Sequence, residues 1–594
     1  MLLSLKFSRS GSCPLLGYGQ LRHAAIACAM LAGCSTPLPP YQPQERGPAT
    51  SAATPARPEA PAGSPPTSPA AQPLPGPDQT QSQTPPPYGE AVAARFPEPS
   101  VRYTTPAFEE GRTTWASNAE VALWLRALVR DGRSAPGSPT VRLLTAGNSQ
   151  SGIPIEALLF TRLADASPAG LQRAARPTLL LIGQQHGDEP AGAEALLAIA
   201  QDLAQGPLAK LLEQINIVLL PRANPDGALA GTRATSSGTD VDRDHLLLRT
   251  PEAQAMAQLA RDFRPSVVID LHEYSAVKPY LEKFGAVQRF DVLVQYATVA
   301  NLPEFITKAA EEWFRRPLLA SFTAQGLSSE WLYTASSDTG EKKMSMGSID
   351  PDSARNANGL RNAISFGIET RGVGLGRMHF ARRVHTHVVA LRSVLERAAQ
   401  RAGDLAQVRK FVDSEVAALA CRGQAVVSGA ASPSEYMLTM IDPVTGADRQ
   451  LSVAWDSALE IEVRKARARP CGYWLGEAQI DAVLRLRGLG VVVQQLQQNG
   501  VVRGEIYHET VRETVLRSSA GETLLRVEVD TVPSLIDAAA GSYYVPLDQA
   551  LANLALAALE PDSLNSYLAH RVVNALSGVA RVTARPDWRM SALP

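Results

Sequence analysis

His186-Gly187-Asp188-Glu189 sets a histidine and a carboxylate three residues apart. Further along stand His272, in Ile269-Asp270-Leu271-His272-Glu273-Tyr274, and Glu369, in Ile368-Glu369-Thr370-Arg371. Imidazole nitrogen and carboxylate oxygen are the donors of catalytic zinc, which takes three protein ligands, often two His and one Glu, and keeps a place for water. Zinc lowers the pKa of the water it activates from 15.7 to about 7, and a neighbouring carboxylate can then take the proton. Taken singly, these residues say little. A chain with nine histidines and 58 acidic residues is expected to hold about one HxxE by chance. Glu189 alone could be a helix cap, His272 alone a structural histidine, and Glu369 alone the salt-bridge partner of Arg371.

The elements that must position them give these residues company. Residues 178–183 (TLLLIG) are a continuous apolar run, as expected of a strand buried on both faces. Residues 190–204 predict a helix, with Pro190 in its first turn and an acidic residue before it. Residues 215–220, 266–271 and 363–368 predict further strands, and 121–129 and 252–263 predict helices. Residues 141–144 and 154–160 predict two strands around the turn 147–152. Strands alternating with helices indicate an α/β sheet covered on both faces. His186 and Glu189 follow the end of the first of these buried strands, His272 the end of 266–271 and Glu369 the end of 363–368. Open α/β sheets bind their ligands outside the carboxyl ends of strands.

At this point the sequence resembles the zinc carboxypeptidases of the carboxypeptidase A type, from about residue 141 to 395. His186 and Glu189 match the family's HxxE. Asn224-Pro225-Asp226-Gly227 matches its NPDG turn, and Gly238-Thr239-Asp240-Val241-Asp242-Arg243-Asp244 matches the block usually written G-V-D-x-N-R-N. His272 matches the third ligand and Glu369 the general base. The resemblance implies a mixed twisted sheet with helices on both faces and one Zn2+ per chain on His186, Glu189 and His272. Asp240 resembles the carboxylate that orients the first zinc histidine, here His186. Arg233 stands where the family has an arginine that stabilises the oxyanion. Arg243 resembles the arginine that clamps a substrate carboxylate, a task suited to a planar fork of donors. Either arginine could instead form a surface ion pair.

There are departures. Asp242 replaces the usual Asn beside the clamp; a carboxylate there would repel a terminal carboxylate or welcome an amino group, so it stands as a candidate substrate-binding residue. Lys342 and Lys343 occupy the region of the family's mobile tyrosine, with Tyr333 a nearby substitute, and Arg355 and Asn356 are candidates to line the pocket. His385 and His387 form an HxH on a helix expected over 381–402, where i and i+2 point different ways; they read as surface or packing residues. The resemblance implies zinc-dependent hydrolysis of peptide bonds, as a carboxypeptidase, with peptidoglycan stem peptides the sharper substrate. The alternatives are an N-acyl amino acid deacylase or amidase on the same fold, and a surface binding lipoprotein with a dead site.

The rest of the chain sets the context. With 57 basic and 58 acidic residues it lacks the basic footprint of a nucleic-acid binder, and no protein partner can be inferred. Residues 24–33 (AAIACAMLAG), after Arg22 and His23, fit the apolar core of a signal peptide and end in Leu31-Ala32-Gly33-Cys34. This resembles a bacterial lipobox, with Cys34 lipidated and the protein exported and anchored to a membrane, with Ser35 favouring the outer one, facing the periplasm or the cell surface. Between residues 37 and 87, 17 of 51 are proline, a composition that favours extended, unpacked chain. The expected organisation is a leader over 1–34, a linker over 35–95, a catalytic domain over 96–403 and a smaller α+β or β-rich accessory domain over 404–594. There, 451–463 and 524–529 predict strands, 497–504 a turn and 547–559 a helix. Cys421 and Cys471 could form a disulfide or remain two buried thiols.

Overall fold

The computed structural model describes residues 87–131, 138–336, 340–517 and 522–593. The expected leader, Cys34 and almost all of the proline-rich stretch lie outside the described residues. Eight strands form the central sheet: β1 (Thr140–Asn148), β2 (Pro154–Thr161), β3 (Thr178–Gly183), β4 (Asn216–Leu220), β5 (Val267–Ser275), β6 (Val292–Tyr296), β7 (Ser329–Trp331) and β8 (Ile364–Val373). Their order across the sheet is β1-β2-β4-β3-β5-β8-β6-β7. β4, β3, β5 and β8 run parallel, while β1 with β2, β2 with β4 and β8 with β6 are antiparallel, so the sheet is mixed. Every residue of β3 and β4 is buried, which is why both read as unbroken apolar runs.

Helices Ala191–Gln205 and Phe380–Gln400 pack on one face of this sheet and on each other. The first comes so close to β5 that a Cβ on Gly192 would stand 2.9 Å from that of Leu271. The short helix Ala354–Leu360 lies against β5 and β8, over the opposite face, where the site forms.

Two strands run further than the apolar pattern suggests. β5 continues to Ser275 and β8 to Val373, still paired with each other, so His272 and Glu369 lie inside strands rather than beyond their ends. The polar residues there meet partners from other elements. Glu273 pairs with Arg383 at 2.6 Å and accepts the Ala191 N–H at 3.1 Å. The Arg371 guanidinium lies 3.4 Å from the centre of the Phe96 ring and donates to the Gln288 carbonyl at 3.2 Å.

Packed chain begins before residue 96. Tyr88, Val92 and Phe96 are buried in a core shared with Tyr274, Tyr280, Phe290 and Trp455. Residues 87–95 therefore belong to the fold and not to the expected linker. The boundary expected at 404 falls inside helix Ala402–Ala418, whose Leu405, Val412 and Val416 join the main core. Beyond it the chain is β-rich. The long strands Gln424–Ile441 and Asp448–Ala468 pair with each other and complete a five-stranded sheet with Val287–Gln288, Tyr333–Ala335 and Lys343–Met346. This part is thus woven into the catalytic segment. Residues 472–592 supply a seven-stranded sheet, in which strand Gly500–Arg517 overruns the turn expected at 497–504. Cys421 and Cys471 are joined in a disulfide. No helix among the described residues is long and apolar enough to cross a membrane.

Candidate metal centre

Register assembles the site. Asp270 lies opposite Gly367, and His272 opposite Glu369, in the parallel ladder of β5 and β8. Residues two apart on a strand point to the same face, so one face presents Asp270, His272 and Glu369 together. β3 ends at Gly183, opposite Leu271, and the turn that follows carries His186 and Glu189 to the same place. That turn packs on the next one: a Cβ on Gly187 would stand 1.8 Å from the Gly227 backbone, so only glycine fits. Asn224 fastens both, its Oδ1 accepting the Gly227 N–H at 2.8 Å and its Nδ2 donating to the Gln185 carbonyl at 3.0 Å.

His186, Glu189 and His272 are all buried and converge. His186 Nδ1 is 2.8 Å from Glu189 Oε1, His272 Nδ1 is 3.0 Å from Glu189 Oε2, and the two Nδ1 atoms are 3.0 Å apart. Ligands on a tetrahedral zinc stand roughly 3.3 Å from one another, so this triangle needs little adjustment to take the ion. The far nitrogens are already engaged, His186 Nε2 with Asp240 Oδ1 at 3.0 Å and His272 Nε2 with Asp270 Oδ2 at 2.7 Å. Each ring is thereby held with Nδ1 as the free donor. Two neutral imidazoles and one carboxylate are a donor set that fits one zinc. Burial works against a charged Glu189, but the two rings outweigh it and keep its pKa below the usual carboxylate range.

Around the triangle lie the other expected residues. Asp240 bridges His186 and Arg233, whose Nε donates to Asp240 Oδ2 at 3.1 Å. The Arg233 side chain remains 47% exposed and brings Nη1 to 3.1 Å from His186 Nδ1. Arg243 pairs through Nη1 with Asp242 Oδ2, and Asp242 Oδ1 accepts the Ala354 N–H at 2.9 Å. Asp242, Asp270 and His272 offer donor atoms within 4.8 Å of one another, which places this pair beside the triangle. Desolvation opposes the Asp242 charge, yet Arg243 holds its pKa down at about 2. Glu369 is half-buried and makes no ion pair or hydrogen bond among the described residues, with Arg371 turned away to Phe96. Burial pushes its carboxyl above the usual range, with His272 pulling the other way.

The sequence reading misses Asp270 and the chain behind it. Gln185 Nε2 donates to Asp270 Oδ1 at 2.7 Å, and Gln185 Oε1 meets His245 Nε2 at 2.7 Å. The signal was present, since Asp270 stands two residues before His272 on one strand. Tyr333 is corrected. It is 1% exposed, donates to Gln288 Oε1 at 2.8 Å and packs on Trp455, so it is fixed in a core and cannot serve as a mobile tyrosine. Lys343 pairs with Asp456 at 2.7 Å. Asn356 is buried and holds the Ser348 and Asp350 carbonyls, both at 2.8 Å, while Arg355 lies over Gly367. His385 bonds the Tyr103 hydroxyl at 2.8 Å, and His387 is core, with Nε2 3.2 Å from Thr370 Oγ1.

Residues 136–372 match the family model for zinc carboxypeptidases. The chain is 29% identical over 408 residues to a carboxypeptidase 2 of Trichophyton equinum, across 67% of this chain and 74% of that protein. It is 28% identical over 406 residues to a carboxypeptidase 2 of Trichophyton tonsurans, with the same coverage. A crystal structure of a metallo-carboxypeptidase from Burkholderia cenocepacia is 16% identical and covers 48% of this chain and 70% of its own, with a TM-score of 0.34. Residues 136–372 are thus similar to zinc carboxypeptidases, and the protein is a zinc-dependent hydrolase of peptide bonds.

Proposed function

We propose that the protein is an exported zinc carboxypeptidase that removes residues from the carboxyl end of peptides. The observation that carries this reading is the unpaired Glu369 beside the His186–Glu189–His272 triangle, with Arg233, Arg243 and Arg355 around it. His186, Glu189 and His272 would hold the zinc, which would supply a Lewis acid for the scissile carbonyl and the attacking water. Glu369 takes the proton of the attacking water and returns it to the leaving amine. Arg233, exposed and touching the donor cluster, meets the charge that develops on the carbonyl oxygen. With Arg243 paired to Asp242, the cationic side made by Arg355 favours a substrate that ends in a carboxylate.

The Cys421–Cys471 disulfide supports an oxidising compartment. With the lipobox-like LAGC at 31–34, it favours export and a lipid anchor on Cys34, in an outer membrane facing the periplasm or cell surface. Peptidoglycan stem peptides fit that location. Asp242 adds nothing to that substrate, because its oxygens already serve Arg243 and the Ala354 N–H. Mass spectrometry of a peptide pool that includes muropeptides, digested by the wild type and by Glu369→Gln, tests the reading. Ladders of single residues lost from carboxyl ends, absent with the variant, are expected; internal cuts or released acyl groups would overturn it.

A further inference from the structure

We propose that Arg355, and not Arg243, receives a carboxylate of the substrate's carboxy-terminal residue; this rests on the carboxypeptidase reading above. Arg243 already has its anion. It is paired with Asp242, and Asp242 is in turn pinned to the first turn of helix Ala354–Leu360 by the Ala354 N–H. A substrate carboxylate added there would set two anions against one guanidinium, a repulsion that grows as the surroundings become less polar.

Arg355 is the opposite case. It is 7% exposed and forms no ion pair among the described residues. Its Nη2 donates to the Ser348 carbonyl at 2.8 Å and its Nε reaches Asn356 Oδ1 at 3.5 Å, while Nη1 has no hydrogen-bond partner among the described residues. A buried cation is costly until an anion completes it. Asp242, Glu369 and Asp270 act on it only through space.

The position suits the task. Nη1 lies 3.9 Å from where Gly367 would carry a Cβ, and 2.7 Å from the same point on Gly347. Two glycines therefore clear the space around the guanidinium. Gly367 precedes Glu369 by two residues on the same face of β8, roughly 6.6 Å along the strand. A residue whose scissile bond lies at Glu369 and the donor triangle reaches that depth with its α-carboxylate or with an acidic side chain. Asn356 holds the Ser348–Asp350 loop that backs Arg355.

Calorimetric binding to the zinc-loaded protein tests this and separates the two sources. One arm compares N-acetyl-leucine with its amide. The other compares N-acetyl-glutamate α-amide with the corresponding glutamine compound. The wild type is expected to prefer the acid in at least one arm, and Arg355→Gln to shrink that ratio by roughly 10- to 100-fold, the worth of a hydrogen bond to a charged group. Arg355→Lys should restore part of it. Amide affinity shows that the variant is folded; if Arg355→Gln fails that check, Arg355→Lys carries the test, with a weakened ratio expected. A wild-type ratio that survives both substitutions overturns this inference and leaves the carboxypeptidase reading standing. No wild-type preference in either arm overturns both.

Discussion

Glu369 and His272 are cross-strand partners in the parallel ladder of β5 and β8, so one hydrogen-bond register sets the base beside a metal ligand. A one-residue slip would turn either side chain to the far face. With the geometry fixed by backbone, Glu369→Gln should leave zinc content unchanged and lower kcat by about 100- to 10,000-fold, the range of general base catalysis. Steady-state kinetics with metal analysis of the same sample checks this. The raised Glu369 carboxyl adds a pH signature: activity falls as pH drops through that pKa, and the acid limb of kcat/KM should lie above the ordinary carboxylate value and disappear in the variant.

Asp270 should matter for metal affinity. It accepts from His272 Nε2 at 2.7 Å and is itself held by Gln185. Asp270→Ala frees the ring to rotate or change tautomer, and outer partners of this kind are worth about 10- to 100-fold in affinity. Competition with a chelator measures it, and an unchanged zinc dissociation constant would remove Asp270 from the site.

The disulfide closes a loop whose ends are 50 residues apart. Loop-closure entropy for that length is about 4 kcal/mol. Replacing both Cys421 and Cys471 with serine should lower unfolding stability in denaturant by about 2–4 kcal/mol, and reduction of the wild type should do the same.

His387 should make the fold sensitive to acid. Burial, with His272 and Arg383 nearby, lowers its pKa to about 3, and its Nδ1 has no partner among the described residues. The folded pKa lies below the unfolded one, so the neutral ring's contribution is complete above about pH 6.5 and is lost as pH falls toward 3. At pH 5 the loss is about 2 kcal/mol. Denaturant titrations at several pH values should show this slope, flattened in His387→Leu.

The site was largely legible in the sequence because its residues follow apolar runs with strong patterns. The buried run of β3 locates His186 and Glu189, and the NPDG turn locates the loop that packs on them. Asp270 needed only the strand period of two. Tyr333 was not legible, since nearness to Lys342 says nothing of burial; its core partner Trp455 arrives on strand Asp448–Ala468, far along the chain. The same long-range pairing, of Lys343–Met346 with that strand, hides how the β-rich part joins the catalytic one. Local pattern also ended β5 and β8 too early, because Glu273 and Arg371 are polar residues whose partners lie on other elements.

Zinc bound per chain, measured by plasma mass spectrometry on gel-filtered wild type, His186→Ala, Glu189→Ala and His272→Ala, tests the assignment of the metal centre most directly. One zinc in the wild type and well under half in each variant is expected. Stoichiometric zinc retained by all three variants, or a wild type without zinc after loading, would contradict it.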